Sequence, residues 1–113
     1  MRWFGRKGVG RAQRAGTVRK AASPDRLHLE EFAATHRGVE GFVEPRTAVT
    51  ETTMVLVAHD GEWTRRRVPS PTAAHELANR LGIPSYDAAV VGYPQRMRDY
   101  NARQSARAKQ LDE

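Results

Sequence analysis

One short segment of the chain approaches a known catalytic motif. The chain contains His75-Glu76-Leu77-Ala78-Asn79, which begins like the zinc-protease sequence H-E-x-x-H. In that sequence two histidines on one helix face bind zinc, and the glutamate acts as the general base. Asn79 stands where the second histidine belongs, so a required zinc ligand is missing. A solvent-exposed helix face is therefore the better interpretation of this segment.

The other reactive side chains form no recognisable catalytic or metal-binding arrangement. His28, His36 and His59 lack the spacing of metal ligands, and no serine lies in a G-x-S-x-G sequence. The glycines of Gly8-Val9-Gly10 have no strand before them and no capped helix after them, so they do not form a phosphate-binding loop. The chain has no cysteine, which excludes disulfides, thiolate metal sites and a cysteine nucleophile. We therefore predict that the protein is not an enzyme and holds neither a cofactor nor a metal.

The charges are unevenly distributed along the chain. Its 113 residues include 19 basic and 13 acidic side chains, for a net charge of +6. Residues 1–22 contain seven basic and no acidic groups, residues 23–93 contain seven basic and ten acidic groups, and residues 94–113 contain five basic and three acidic groups. We therefore predict a mildly acidic domain over residues 23–93, preceded by a basic arm and followed by a C-terminal helix.

The arm of residues 1–22 is predicted to be disordered when free, because it has no hydrophobic periodicity with which to offset its ordering entropy. Trp3 and Phe4 lie among its cations, and such a cluster can stack on bases while the cations neutralise phosphates. An anionic membrane surface, or aromatic rings folded back onto the domain, are the alternatives. The predicted nucleic-acid contacts of the arm are Arg2, Trp3, Phe4, Arg6, Lys7, Arg11, Arg14, Arg19 and Lys20.

Two helices are predicted from similar start signals. Ser23 precedes Pro24 and Ser70 precedes Pro71, and in each pair the serine can cap free amides while the proline suits the first helical position. Apolar residues at helical spacing follow both pairs, and Gly82 is placed to end the second helix. These helices bracket the part of the chain that is richest in strand-forming residues.

Three strands are predicted between the helices, over residues 39–44, 52–58 and 62–68. The second is β-branched and apolar, and it is the strongest strand signal in the chain. Asp60-Gly61 follows it directly, which predicts a two-residue hairpin turn. The sequence thus indicates a hairpin spanning residues 52–68.

A two-residue turn fixes which side chains share a face of the hairpin. It would place Leu56 opposite Arg65 and Ala58 opposite Trp63 on one face, with Arg66 on the other. The arginines then contact phosphates or an acidic partner, or they protect a strand edge against aggregation. Outside the arm, the predicted nucleic-acid contacts are Arg65, Arg67, Arg96, Arg103 and Arg107, and the predicted protein contacts are Leu56, Trp63 and Tyr93.

The element order predicts an α+β fold with a small antiparallel sheet of about three strands, covered on one side by helices. Residues 86–91 fit either a strand or a short helix. A last helix is predicted from about Pro94 to Ala108, with its end projecting because it has few apolar anchors. Double-stranded-RNA-binding domains share the α-β-β-β-α order, but residues 71–76 lack the lysines or arginines that open their second helix. This likeness is therefore one of topology.

Three segments, Phe42–Thr47, Val55–Arg66 and Gly92–Tyr100, resemble a group of small uncharacterised actinobacterial proteins. The resemblance covers about half of the chain, and it implies no catalytic residue or ligand. An oxidoreductase label is sometimes attached to chains of this appearance. This sequence contains no cofactor loop or redox residue that would support the label.

These observations predict a small cytoplasmic accessory protein that binds a polyanion, such as RNA, DNA or a ribonucleoprotein, chiefly through the arm. The alternative is a protein–protein adaptor or a homodimer that uses the hairpin edge. An enzyme is the third hypothesis. No apolar run approaches the length of a membrane-spanning helix, so no integral membrane association is predicted.

Overall fold

The structure of the protein, a computed structural model, is described over residues 23–112. The arm of residues 1–22, with all its predicted nucleic-acid contacts, lies outside the described residues. The fold is α+β, as predicted. Its helices are α1 (Pro24–Thr35), α2 (Pro71–Leu81), α3 (Ala88–Val91) and α4 (Gln95–Asp112), and its strands are β1 (Glu40–Glu44), β2 (Thr53–Val57), β3 (Trp63–Arg67) and β4 (Ser85–Asp87).

The predicted helix start signals are confirmed. The Ser23 hydroxyl accepts a hydrogen bond from the Arg26 amide, and the Ser70 hydroxyl accepts one from the Ala73 amide, both at 3.1 Å. A proline follows each serine at the first helical position. Gly82 ends α2 in the left-handed conformation, with φ at 73°. Local side-chain chemistry therefore defines where these helices begin and where α2 ends.

The centre of the sheet is β2, which is buried on both faces. Met54 and Leu56 pack against α1 and α2, whereas Val55 and Val57 point to the opposite side of the sheet. The first side is covered by Leu29, Phe32, Ala74, Leu77 and Ala78, and the second by Met97, Ala88 and Tyr93. The prediction that helices cover one side only is therefore wrong, because a strand with apolar residues on both faces needs two covers.

The prediction of a three-stranded antiparallel sheet is also wrong. The sheet has four strands in the order β3-β2-β1-β4, and β4 runs parallel to β1. Residues 86–91 contain both of the predicted alternatives, since β4 ends at Asp87 and α3 begins at Ala88. The parallel pairing arises because α2 carries the chain back across the sheet between β3 and β4, which a tight turn cannot do.

The register of the hairpin differs by one residue from the prediction. Val57 lies opposite Trp63 and Val55 lies opposite Arg65. The reason is a three-residue loop in which the Gly61 amide donates to the Ala58 carbonyl at 2.9 Å. A shift of one residue moves every side chain to the other face. Trp63 and Arg65 therefore lie on the side covered by α4, away from Leu56.

Gly61 is required both by the loop and by the packing of α4. Its φ is +96°, which disfavours any residue with a Cβ. A Cβ built on Gly61 would lie 2.0 Å from the Arg96 carbonyl oxygen and 2.8 Å from the Tyr100 Cβ. The hairpin loop and the first turns of α4 therefore meet backbone to backbone at this point.

We predict that Gly61→Ala lowers the free energy of unfolding by more than about 2 kcal/mol, because backbone strain and a clash with the α4 backbone add together. Gly82→Ala is the matched control, since Gly82 also has a positive φ but a Cβ there meets nothing within 4 Å. Urea denaturation measures both. A loss for Gly61→Ala no larger than that for Gly82→Ala would contradict the close contact with α4.

Candidate functional site

Arg65 is held by a carboxylate of the domain itself. Its guanidinium donates to both oxygens of Glu44, at 2.9 and 3.0 Å, and its centre lies 5.2 Å from the Trp63 ring. Glu44 also accepts hydrogen bonds from the hydroxyls of Thr53 and Tyr93. Arg65 and Glu44 thus form a neutral pair on the sheet surface. The predicted phosphate contact at Arg65 has its charge balanced internally.

Arg96 attaches α4 to the edge of the hairpin. Its Nε donates to the Ala58 carbonyl at 2.9 Å, and its Nη2 donates to the Val57 carbonyl at 3.3 Å and to a Glu40 oxygen at 2.7 Å. Three acceptors therefore surround one guanidinium group. The structure assigns Arg96 to helix attachment, unlike the phosphate contact predicted from the sequence.

Two further side chains of α4 contact the hairpin. The Trp63 indole donates to the Asn101 side chain at 2.8 Å, and Arg103 donates to the Asp60 carbonyl at 3.0 Å. After Arg103, every described α4 residue is exposed, including Arg107.

The Glu62 amide donates to the Asp60 carboxylate in the hairpin loop, and this hydrogen bond holds the pKa of Asp60 below its ordinary value.

The predicted protein-contact residues do not form one surface. Leu56 is completely buried under α1 and α2, so its assignment to a docking face is wrong, because β2 is covered on both faces. Trp63 and Tyr93 are half-buried and hydrogen-bonded to Asn101 and Glu44. These two residues fasten the C-terminal segment to the sheet.

Three arginines from different elements converge at the end of the basic arm. Arg26 in α1, Arg67 in β3 and Arg80 in α2 line a cavity of about 190 Å³. Its remaining lining consists of Ser23, Val68, Pro69, Ala73, Glu76 and Leu77. Ser23 is the residue that joins the arm to the domain. We call this site the arginine pocket; it combines three guanidinium groups with one carboxylate.

The guanidinium groups of the arginine pocket have weak competing partners. Arg26 lies 3.4 Å from Glu30, and Arg67 lies 3.9 Å from Glu51 with its side chain 67% exposed. Exposed pairs of this kind contribute little, since water competes for both partners. Within residues 23–112, no carboxylate lies within ion-pair distance of Arg80. These groups can therefore exchange to an external anion at small cost.

Sequence reasoning identified Arg67 but missed Arg26 and Arg80. Nothing in the local sequence links these residues, because they lie on separate helices. The helical spacing of Ala73, Glu76 and Arg80 could have placed them on one face of α2. Only the packing of α1 beside α2 shows that this face of α2 and Arg26 line the same cavity.

Arg66 and His28 form a second polar contact between α1 and β3. Arg66 lies 3.4 Å from Asp25 and donates to the His28 Nδ1 at 3.3 Å. The other His28 nitrogen lies 2.7 Å from the Thr64 hydroxyl. The position of α1 across β3 makes His28 a partly buried bridge between the two elements.

A histidine and a serine also lie close together, without the other parts of a catalytic site. The Ser85 hydroxyl lies 2.6 Å from the His75 Nδ1, which joins β4 to α2. A serine nucleophile also needs an orienting acid and space for a substrate. Within the described residues His75 has no carboxylate partner, and none of the cavities described here is lined by this pair.

A cleft larger than the arginine pocket lies on the sheet side that α4 covers. It measures about 590 Å³ and is enclosed by the β1–β2 loop, Glu44, Arg65, Ala88 and Tyr93. Its charged groups are the neutral Glu44–Arg65 pair. In the part of the chain that the structure describes, no three histidine or acidic side chains are grouped to hold a metal ion, and no helix is long and apolar enough to cross a membrane.

We predict that Arg96→Ala lowers the free energy of unfolding by about 2–3 kcal/mol, because it removes the hydrogen bonds to the Ala58 and Val57 carbonyls and the ion pair with Glu40 together. Arg98→Ala is the control, since Arg98 is exposed and bonds only to Gln95 within the described residues. Thermal or urea unfolding provides the measurement. Equal stabilities for the two variants would show that Arg96 does not attach α4.

Comparison of the chain with known protein families, with curated protein sequences and with solved structures finds no match in any of the three. The resemblance to actinobacterial proteins therefore stays a prediction.

Proposed function

We propose that the protein is a non-enzymatic protein that binds the phosphate backbone of RNA or DNA through the basic arm and the arginine pocket. The observation that carries the proposal is the convergence of Arg26, Arg67 and Arg80 next to Ser23, where the arm joins the domain. The cytoplasmic location predicted from the sequence suits such a partner.

The distribution of ion pairs supports this choice of surface. Arg65 and Arg96 have internal acceptors at 3.0 Å or less, and Arg66 is shared between Asp25 and His28. The ion pairs of Arg26 and Arg67 in the arginine pocket are 3.4 Å or longer, so these cations can exchange partners more easily than Arg65 and Arg96. A polyanion that binds the arginine pocket and the arm together would release counterions from its backbone. This release is the main source of affinity between a basic protein and a polyanion.

The aromatic residues of the arm favour a nucleic acid among polyanions. Trp3 and Phe4 lie among the first cations of the chain. Base stacking on an aromatic ring contributes about 1–3 kcal/mol per base. A sulfated sugar has no aromatic base for this stacking contact. The pocket carries cations suited to phosphates, which all nucleotides share, so we expect binding that does not depend on base sequence.

The test is fluorescence anisotropy with a labelled single-stranded oligonucleotide over a series of salt concentrations. We expect the plot of log affinity against log salt to become shallower by roughly 1.4 when Arg67→Ala and Arg80→Ala are combined, because two phosphate contacts to a single strand are lost. A chain whose seven arm cations are replaced by glutamine should show a larger reduction.

The combination of Arg37→Ala and Arg98→Ala is the matched control, since it removes the same charge from exposed positions outside the arginine pocket. It should change the salt dependence less than the pocket variant. Absence of binding at low salt, or equal slopes for the two double variants, would refute the proposal.

A further inference from the structure

The edge of the sheet formed by β4 carries a partly apolar surface with a single charged residue. Tyr86 is 36% exposed, and Val90 and Val91 in the adjoining α3 are 79% and 55% exposed. Asp87 is the single charged residue between Leu81 and Gln95, in a chain of which 28% is charged. We call Tyr86, Asp87, Val90 and Val91 the β4 surface. Depletion of charge around exposed tyrosine and aliphatic groups is typical of the centre of a protein interface.

The two edges of the sheet are protected very differently. At the β3 edge, Arg65, Arg66 and Arg67 supply the charges that natural sheets use to prevent association. The β4 edge has neither a lysine nor an arginine, and its proline, Pro84, lies just before the strand. Within the described residues β4 pairs only with β1, so its outer edge can accept another strand.

A hollow beside the strand extends this surface. It measures about 220 Å³ and is lined by Phe42, Tyr86, Val91, Tyr93 and Pro94, together with Glu40 and Gly92. The Glu40 carboxylate already accepts hydrogen bonds from Arg96 at 2.7 Å and from the Tyr86 hydroxyl at 3.3 Å. The hollow therefore presents aromatic and aliphatic groups without an unbalanced charge.

We propose that the β4 surface binds a second copy of this chain, with the two β4 strands antiparallel about a two-fold axis. Centring the pair on Tyr86 places the two tyrosines opposite each other and sets Ser85 opposite the partner subunit's Asp87. Aromatic pairs are favourable cross-strand neighbours, and this register places no like charges opposite each other, since Ser85 and Asp87 bond within their own chain to His75 and to the Ala89 amide. The strand is therefore complementary to itself, which a two-fold interface requires.

The charge distribution also favours the β4 surface over other surfaces as the place where two copies meet. Each chain carries a net charge of +6, so two copies repel each other at most of their surfaces. The β4 surface is where this repulsion is weakest, because the neighbouring segment is nearly uncharged. The order β3-β2-β1-β4 leaves both β3 edges, with Arg67, at the outside of the joined sheet. The dimer does not depend on the proposed function.

The test is sedimentation velocity on the full chain over a wide range of protein concentration. We expect a reversible dimer in the unaltered protein and at least about tenfold weaker association in Val90→Glu. Val49→Glu is the matched control, because Val49 is 91% exposed in the β1–β2 loop and outside the β4 surface. It should associate like the unaltered chain.

A monomer at every concentration would overturn the proposal, and so would equal association of Val90→Glu and Val49→Glu. Circular dichroism checks that each variant is folded. If Val90→Glu misfolds, Tyr86→Lys tests the same surface from β4 and should weaken association to a similar degree. If the Val90→Glu variant is monomeric and still binds the oligonucleotide, dimer formation and nucleic-acid binding are independent properties of the chain.

Discussion

The burial of β2 on both faces is the constraint on which the rest of the fold depends. Met54, Val55, Leu56 and Val57 are all fully inaccessible to solvent. Each such side chain contributes about 1.5–3 kcal/mol when it leaves water, so neither face of the strand can remain uncovered. α1 and α2 cover one face. The C-terminal segment must cover the other, although α4 buries only Met97.

Because its apolar contact is small, the second cover depends on hydrogen bonds and close backbone packing. Arg96 binds three acceptors at the hairpin, Trp63 bonds to Asn101, and Gly61 lets the loop approach the α4 backbone. Arg65 balances Glu44 beneath the same segment. Arg65 and Arg96, which the sequence predicts to contact nucleic acid, therefore hold the structure together. The domain has less unpaired positive charge than its number of arginines suggests.

The two opposite edges of the sheet, β3 and β4, present surfaces suited to two different kinds of interaction. The β3 edge is charged and ends near the arginine pocket, beside the start of the described chain. The β4 edge is nearly uncharged and carries exposed Val90 and Val91. Electrostatic contacts and apolar contacts are thus placed at opposite edges, where each can form without disturbing the other.

The sequence alone determined the features that depend on neighbouring residues: the serine caps, the position of the hairpin, the strength of the strand at 52–58 and the segregation of charge. Only the tertiary structure decided the hairpin register, the parallel pairing of β4 and the partners of each arginine. A single added loop residue, His59, placed Leu56 and Arg65 on opposite faces of the sheet. The site at Arg26 and Arg80 exists because α1 packs beside α2. The physical reason is that burial and ion pairing depend on contacts between elements distant in the chain, whereas caps and turns are formed within a few residues.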